Sequence, residues 1–146
     1  CLAQAHLLEA ELRIQIEDFE LARKQLKKIL ANKHFRGYNH ALALQQCAIL
    51  ETRAGQPKRA IAYWQRIYTL YRAYPELVAE AYWQSHLQFC ELHDYPAAEA
   101  SLVEMQSDRR LLQYCHAPEF AEALRRVQSK RNETRMLSQE SGAPVL

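Results

Sequence analysis

Glycine and proline are scarce in this chain, three and five residues in 146. Between them lie blocks rich in Ala, Leu, Gln, Glu, Lys and Arg, whose straight side chains lose little rotamer freedom in a helix. The composition therefore predicts helix nearly throughout. The length is one domain's worth, enough to hide roughly 70% of the surface that the unfolded chain exposes. Cysteine pairs are missing too: Cys1, Cys47, Cys90 and Cys115 stand far apart without a CxxC, so neither a zinc knuckle nor a thioredoxin-type site is spelled out. Free thiols in a reducing compartment are expected, and with them an intracellular location, cytoplasmic or nuclear. The longest uncharged run, Gly37 to Leu50, contains Asn39, His40, Gln45 and Gln46 and is too short to span a bilayer, so no membrane partner is expected. The first residue is Cys rather than Met, and Leu2 to Ile16, with Glu9, Glu11 and Arg13 inside it, reads as helix rather than signal peptide. An internal piece of a longer polypeptide is expected.

Chemical motifs are absent as well. The six histidines, His6, His34, His40, His86, His93 and His116, form no HExxH and no pair at i, i+4, and no glycine-rich phosphate loop occurs. His93 and Asp94 are adjacent but read as turn residues. Cys90 and Cys115 are candidate nucleophiles, but nucleophilic catalysis needs a base within hydrogen-bond reach and a lowered thiol pKa, and nothing in the sequence supplies both. The expectation is no catalytic residue, no metal site and no cofactor.

What is present is repetition. Three segments align, EDFELARKQLKKIL from Glu17, GQPKRAIAYWQRIY from Gly55 and HDYPAAEASLVEMQ from His93, starting 38 positions apart. In register they give Ala22, Ala60 and Ala98, then Leu26, Trp64 and Leu102, then Ile29, Ile67 and Met105. A small residue suits close approach of two helices, and the large residue four positions on falls on the same face. The same step relates Ala5, Ala43 and Ala81, so each repeat is two helices. First helices are expected near 2–16, 39–54 and 76–92, second helices near 20–33, 57–73 and 96–107, and a closing helix near 118–136. The expected fold class is all-α, a right-handed solenoid of antiparallel helical hairpins with about seven helices. The domain spans 1–131, with hairpins near 2–37, 38–75 and 76–110, and 132–146 forms a frayed or disordered tail.

The two helix types differ. In the first helix Ala3, Leu7, Ala10 and Ile14 form one stripe and Ala5, Leu8, Leu12 and Ile16 another, so two faces are expected to be buried. Its counterpart around Ala41 to Leu50 is apolar nearly all round. The second helices are one-sided: Ala22, Leu26, Ile29 and Leu30 face in, while Arg23, Lys24, Lys27 and Lys28 make an outer wall. The closing helix has Phe120, Ala123, Leu124 and Val127 on one side and a polar back, as a solenoid end requires.

These repeats resemble the tetratricopeptide superfamily over residues 2–107, most closely in Ala54 to Ala60 and Asp94 to Ala98, although the usual repeat is about 34 residues. The resemblance implies that the first helices line a groove for a partner protein or peptide. Carried over by register, that groove comprises Leu7, Glu11 and Ile14, then Leu42, Gln45, Ile49 and Arg53, then Glu80, Trp83, Leu87 and Glu91. Its apolar share suits a permanent interface. The implied function is a non-enzymatic protein-binding scaffold, part of a larger polypeptide or multisubunit assembly. The alternative it implies is a ligand- or peptide-sensing regulatory domain of a transcription regulator.

Charge is unevenly spread. Residues 38–75 carry Arg53, Lys58, Arg59, Arg66 and Arg72 against Glu51, whereas 76–117 carry Arg109 and Arg110 against seven acids. Such a dipole can orient a partner. Nucleic acid is not the expected partner: Trp64, Tyr68 and Tyr71 fall at core-facing spacing, and the acidic repeat repels phosphate.

Overall fold

The structure is a computed structural model that describes residues 2–141. Among them are seven α-helices and no strand: α1 (Leu2–Gln15), α2 (Phe19–Ala31), α3 (Tyr38–Arg53), α4 (Pro57–Leu70), α5 (Pro75–Glu91), α6 (Tyr95–Ser107) and α7 (Pro118–Glu140). A 3-10 helix, Arg109–Tyr114, sits between α6 and α7. The helices pair as α1/α2, α3/α4 and α5/α6, and each pair packs on the next, so the all-α stack of hairpins expected from the register is what the chain forms.

The 38-residue step reappears in the backbone. Glu17, Gly55 and His93 adopt φ of 62°, 70° and 56°. Their N–H groups donate to the carbonyls of Ile14, Thr52 and Cys90, and the next N–H groups, of Asp18, Gln56 and Asp94, donate to Arg13, Glu51 and Phe89 at 2.8, 2.8 and 2.9 Å. This pair of bonds, one reaching back three residues and one five, satisfies the last carbonyls of a helix and requires a left-handed residue between them. The His93–Asp94 pair is therefore a turn, and Asp94 goes on to accept from the Ala97 N–H at 3.2 Å as the cap of α6.

The core is divided among the hairpins. Leu7, Ala10 and Ile14 of α1 meet Ala22, Leu26 and Ile29 of α2 and Ala43, Cys47 and Leu50 of α3. Ala60, Trp64 and Ile67 of α4 meet Ala41, Leu44 and Ala48 of α3 and Leu77 and Ala81 of α5. Ala98, Leu102 and Met105 of α6 meet Val78 and Ala79 of α5 and Phe120, Ala123 and Val127 of α7. Ala22, Ala60 and Ala98 have no solvent-exposed surface, the close approach that a small residue permits.

Four expectations need correction. α1 buries only Ala3, Leu7, Ala10 and Ile14; Ala5, Leu8, Leu12 and Ile16 are exposed, because α2 and α3 cover one side of this helix and nothing in the described residues covers the other. α4 ends at Leu70 rather than near 73. Pro75 holds Tyr74 extended at φ −116° and ψ 81°, while Tyr71 hydrogen-bonds through its hydroxyl to His40 and stacks with Tyr74. Residues 108–117, left without an element between the expected helices 96–107 and 118–136, contain the 3-10 helix, which buries Leu111 and is tied to the end of α4 by Arg110 Nη1 donating to the Arg72 carbonyl at 2.8 Å. The closing helix continues to Glu140 rather than 136, and 132–140 is helical rather than frayed. Once nucleated, a helix adds residues cheaply, and Lys130–Glu133 pairing at 3.4 Å supports the extension. Cys1 and the Gly142-Ala143-Pro144 end of the expected tail lie outside the described residues.

Candidate interaction face of the first helices

Residues 38 apart on α1, α3 and α5 stand on corresponding faces, and two hydrogen bonds show that these faces adjoin. Gln45 Nε2 on α3 donates to Glu80 Oε2 on α5 at 2.6 Å. Arg53 Nη1 on α3 donates to the Ile14 carbonyl near the end of α1 at 3.4 Å. Around these ties the expected groove residues divide into three groups. Glu11, Ile49, Arg53 and Glu91 are exposed, Ile49 by 38%. Leu42, Gln45, Glu80, Trp83 and Leu87 are half-buried. Leu7 and Ile14 are buried in the core of the first hairpin.

Those last two are corrections. Leu7 matches Gln45 and Trp83 in register, but α1 presents this position to α2 and α3, and Ile14 is one residue away from the row that runs through Arg53 and Glu91. Both side chains are buried rather than open on this face. Trp83 belongs to the wall between face and core, with its ring edge-on to His86 at 4.5 Å and 6.4 Å from Phe120 of α7. Leu42 likewise packs against the first and second core groups. What remains open is a row with Glu11, Ile49 and Leu87 along its middle and Arg53 and Glu91 beyond them.

The electrostatics follow from burial. The Glu80 carboxyl is pushed up by desolvation, and the bond from Gln45 pulls the other way. Burial depresses the His86 imidazole, whose Nδ1–H donates to the Trp83 carbonyl. The thiols move away from reactivity: burial pushes Cys47 up to about 12 and raises Cys90 and Cys115 as well, the opposite of what a thiolate nucleophile needs. Among the described residues no three His, Cys, Asp or Glu side chains group so that they could hold a metal ion. Nor is any helix among them long and apolar enough to cross a membrane.

The outer wall is basic between α2 and α4. A cavity of about 460 Å³ is lined by Arg23, Lys27, Arg59, Tyr63 and Arg66 around Glu51. Glu51 is buried and accepts from Arg23 Nε at 2.7 Å and Nη2 at 3.2 Å. Arg23 and Lys27, expected on the outer wall, line the cavity together with the basic residues of 38–75; the pairing of Arg23 with buried Glu51 is what the sequence did not show. No protein-family model, curated protein or solved structure matches the chain.

Proposed function

We propose that this chain is a protein-interaction scaffold built of divergent tetratricopeptide-like repeats. It binds a partner protein through the first-helix face and works inside cells, in a reducing compartment, without catalysis of its own. The observation that carries this reading is the row of exposed Glu11, exposed Ile49 and half-buried Leu87 on three adjoining helices, apolar at two of its three positions and followed by charges of opposite sign, Arg53 and Glu91. Apolar residues at the centre of a patch and charges at its edge are the usual anatomy of a protein-binding surface. The raised thiol pKa values and the use of Asp94 as a helix cap support the non-enzymatic part.

The test is affinity capture with mass spectrometry, comparing the native chain with Ile49→Arg combined with Glu91→Lys. Both residues are exposed, so helical circular dichroism and the melting midpoint should hold while captured proteins are lost. Capture of the same proteins by both chains would overturn the reading. Trp83→Ala is unsuitable, since its ring packs towards Phe120 and its loss destabilises the fold.

A further inference from the structure

The two ends of the stack differ in chemistry. At the far end α7 buries Phe120, Ala123 and Val127 and, where it covers the stack, turns Glu122, Arg125, Arg126 and Ser129 to solvent; its exposed Met136 and Leu137 lie in the distal turns past Arg131. The covering part is the polar cover a helical stack needs. At the near end α1 exposes Leu2 by 66%, Leu8 by 59% and Leu12 by 54%, and Ile16 just beyond it by 74%. Four large apolar residues on one helix and its end make a patch that solitary exposed hydrophobics do not explain.

The repeat register says what such a patch does elsewhere in this molecule. Ala5 and Leu12 correspond to Ala43 and Leu50 on α3 and to Ala81 and Gln88 on α5. All four counterparts are buried, Ala43 and Leu50 with residues of α2 and Ala81 with residues of α4. In both cases the covering element is the second helix of the preceding hairpin.

A second, independent observation lies in the cavities. Between α1 and α2 is a groove of about 360 Å³ whose lining includes Glu9, Arg13 and Gln25. Their register mates are Cys47, Glu51 and Tyr63. Around those three, Arg23, Leu26 and Lys27 of α2 leave an inner gap of only about 10 Å³, while the outer part of the corresponding space, against Arg59 and Arg66, stays open as the cavity of about 460 Å³. The inner part of the groove at α1, beside Glu9 and Arg13, thus has the position that a second helix occupies one repeat later.

We propose that the exposed side of α1, together with the groove between α1 and α2, is the seat for the second helix of another helical hairpin of this repeat type. The side chains specify the occupant. It needs a small residue where Ala22 and Ala60 stand, and large apolar residues four and seven positions on, to cover Leu8 and Leu12. Arg13 stands where Glu51 stands and is held at present by Glu9 at 2.6 Å and Gln25 at 3.3 Å. Since Glu51 takes Arg23, the occupant should carry a carboxylate or amide at the Arg23 position. A second copy of this chain stacked head to tail does not fit, because its far end offers the polar back of α7 and its own second helices are already buried on their apolar sides. This end is separate from the Ile49–Leu87 row, so either proposal can fail alone.

The test joins a second copy of residues 38–76 directly ahead of Cys1, which places the copied α4 in register against α1. The copy carries Ile61→Glu to face Arg13. The extended chain should melt about 5 °C higher than the original, since a stack gains stability with each neighbour interface, and its amides in the added hairpin should resist hydrogen exchange. Leu8→Lys with Leu12→Lys should leave the original chain's midpoint within about 1 °C, both side chains being exposed, and should abolish the gain in the extended chain. An added hairpin that exchanges like unfolded chain, with no rise in midpoint, overturns the proposal. So does sedimentation of the original chain as a dimer that the two lysines dissociate, which would make a second copy the occupant.

Discussion

Replacing Gly55 by alanine should destabilise the protein by about 1 kcal/mol, through the backbone alone. Gly55 has φ 70°, and a Cβ built on it meets nothing within 4 Å, so no steric term enters. A left-handed backbone costs an L-residue roughly 1–2 kcal/mol. Alanine recovers about 0.4–1 kcal/mol of that by restricting the unfolded chain. The balance lowers the melting midpoint by about 3 °C for a domain of this size. The reverse exchange provides an internal control. Glu17 occupies the same turn position one repeat earlier, at φ 62° and exposed, so Glu17→Gly should raise stability by a comparable amount. Thermal and urea denaturation followed at 222 nm measure both. If Gly55→Ala leaves the midpoint unchanged, or if both substitutions shift it in the same direction, the left-handed turn is not what joins the helices of each hairpin.

Two further outcomes follow from charge and burial. Arg23→Met leaves the buried Glu51 carboxylate without its two donors and should cost about 2 kcal/mol by urea denaturation. That is below the 3–5 kcal/mol of a fully buried pair because the Arg23 side chain keeps 31% of its exposure. Alkali should unfold the protein: burial raises Cys47 and Tyr82 to about 12 and also raises Cys90, Cys115, Tyr63, Tyr68 and Tyr71. Each is neutral when protonated and binds its proton more tightly in the folded chain. Their contribution is therefore full below the unfolded thiol value of 9.0 and is lost as pH rises towards 12. A urea midpoint that is steady from pH 7 to about 8.5 and then falls checks this, and Cys47→Ala should flatten part of the fall.

The hairpins were legible because each packing position repeats in size as well as polarity. Ala22, Ala60 and Ala98 with the large residue four on locate both the helix pairs and their register. The turn at Glu17 and His93 was harder to read, since only Gly55 advertises a left-handed residue. The 3-10 helix was not legible: a single buried Leu111 gives no period. In the candidate face the sequence located the row through Ile49 and Leu87, but misplaced Leu7 and Ile14. α1 carries two apolar stripes of similar strength, and which one turns inward is decided by α2 and α3, through tertiary packing that local periodicity does not encode. The groove between α1 and α2 was equally hidden, since it arises from what does not lie over it.

The last helix is one element with two mechanical characters. Through Arg131, which pairs with Glu99 of α6, α7 is clamped to the body of the stack; from Asn132 to Glu140 every side chain is exposed. The outer segment, under three turns long, would not hold its helix as an isolated peptide; it inherits its conformation from the clamped half. Its rigidity must therefore decay along its length. Amide protection should grade from core-like at Val127 to rapid exchange at Glu140, with no hinge residue to mark a boundary. Anything that grips the distal turns would lengthen the stiff part of the lever residue by residue rather than switch it on at once.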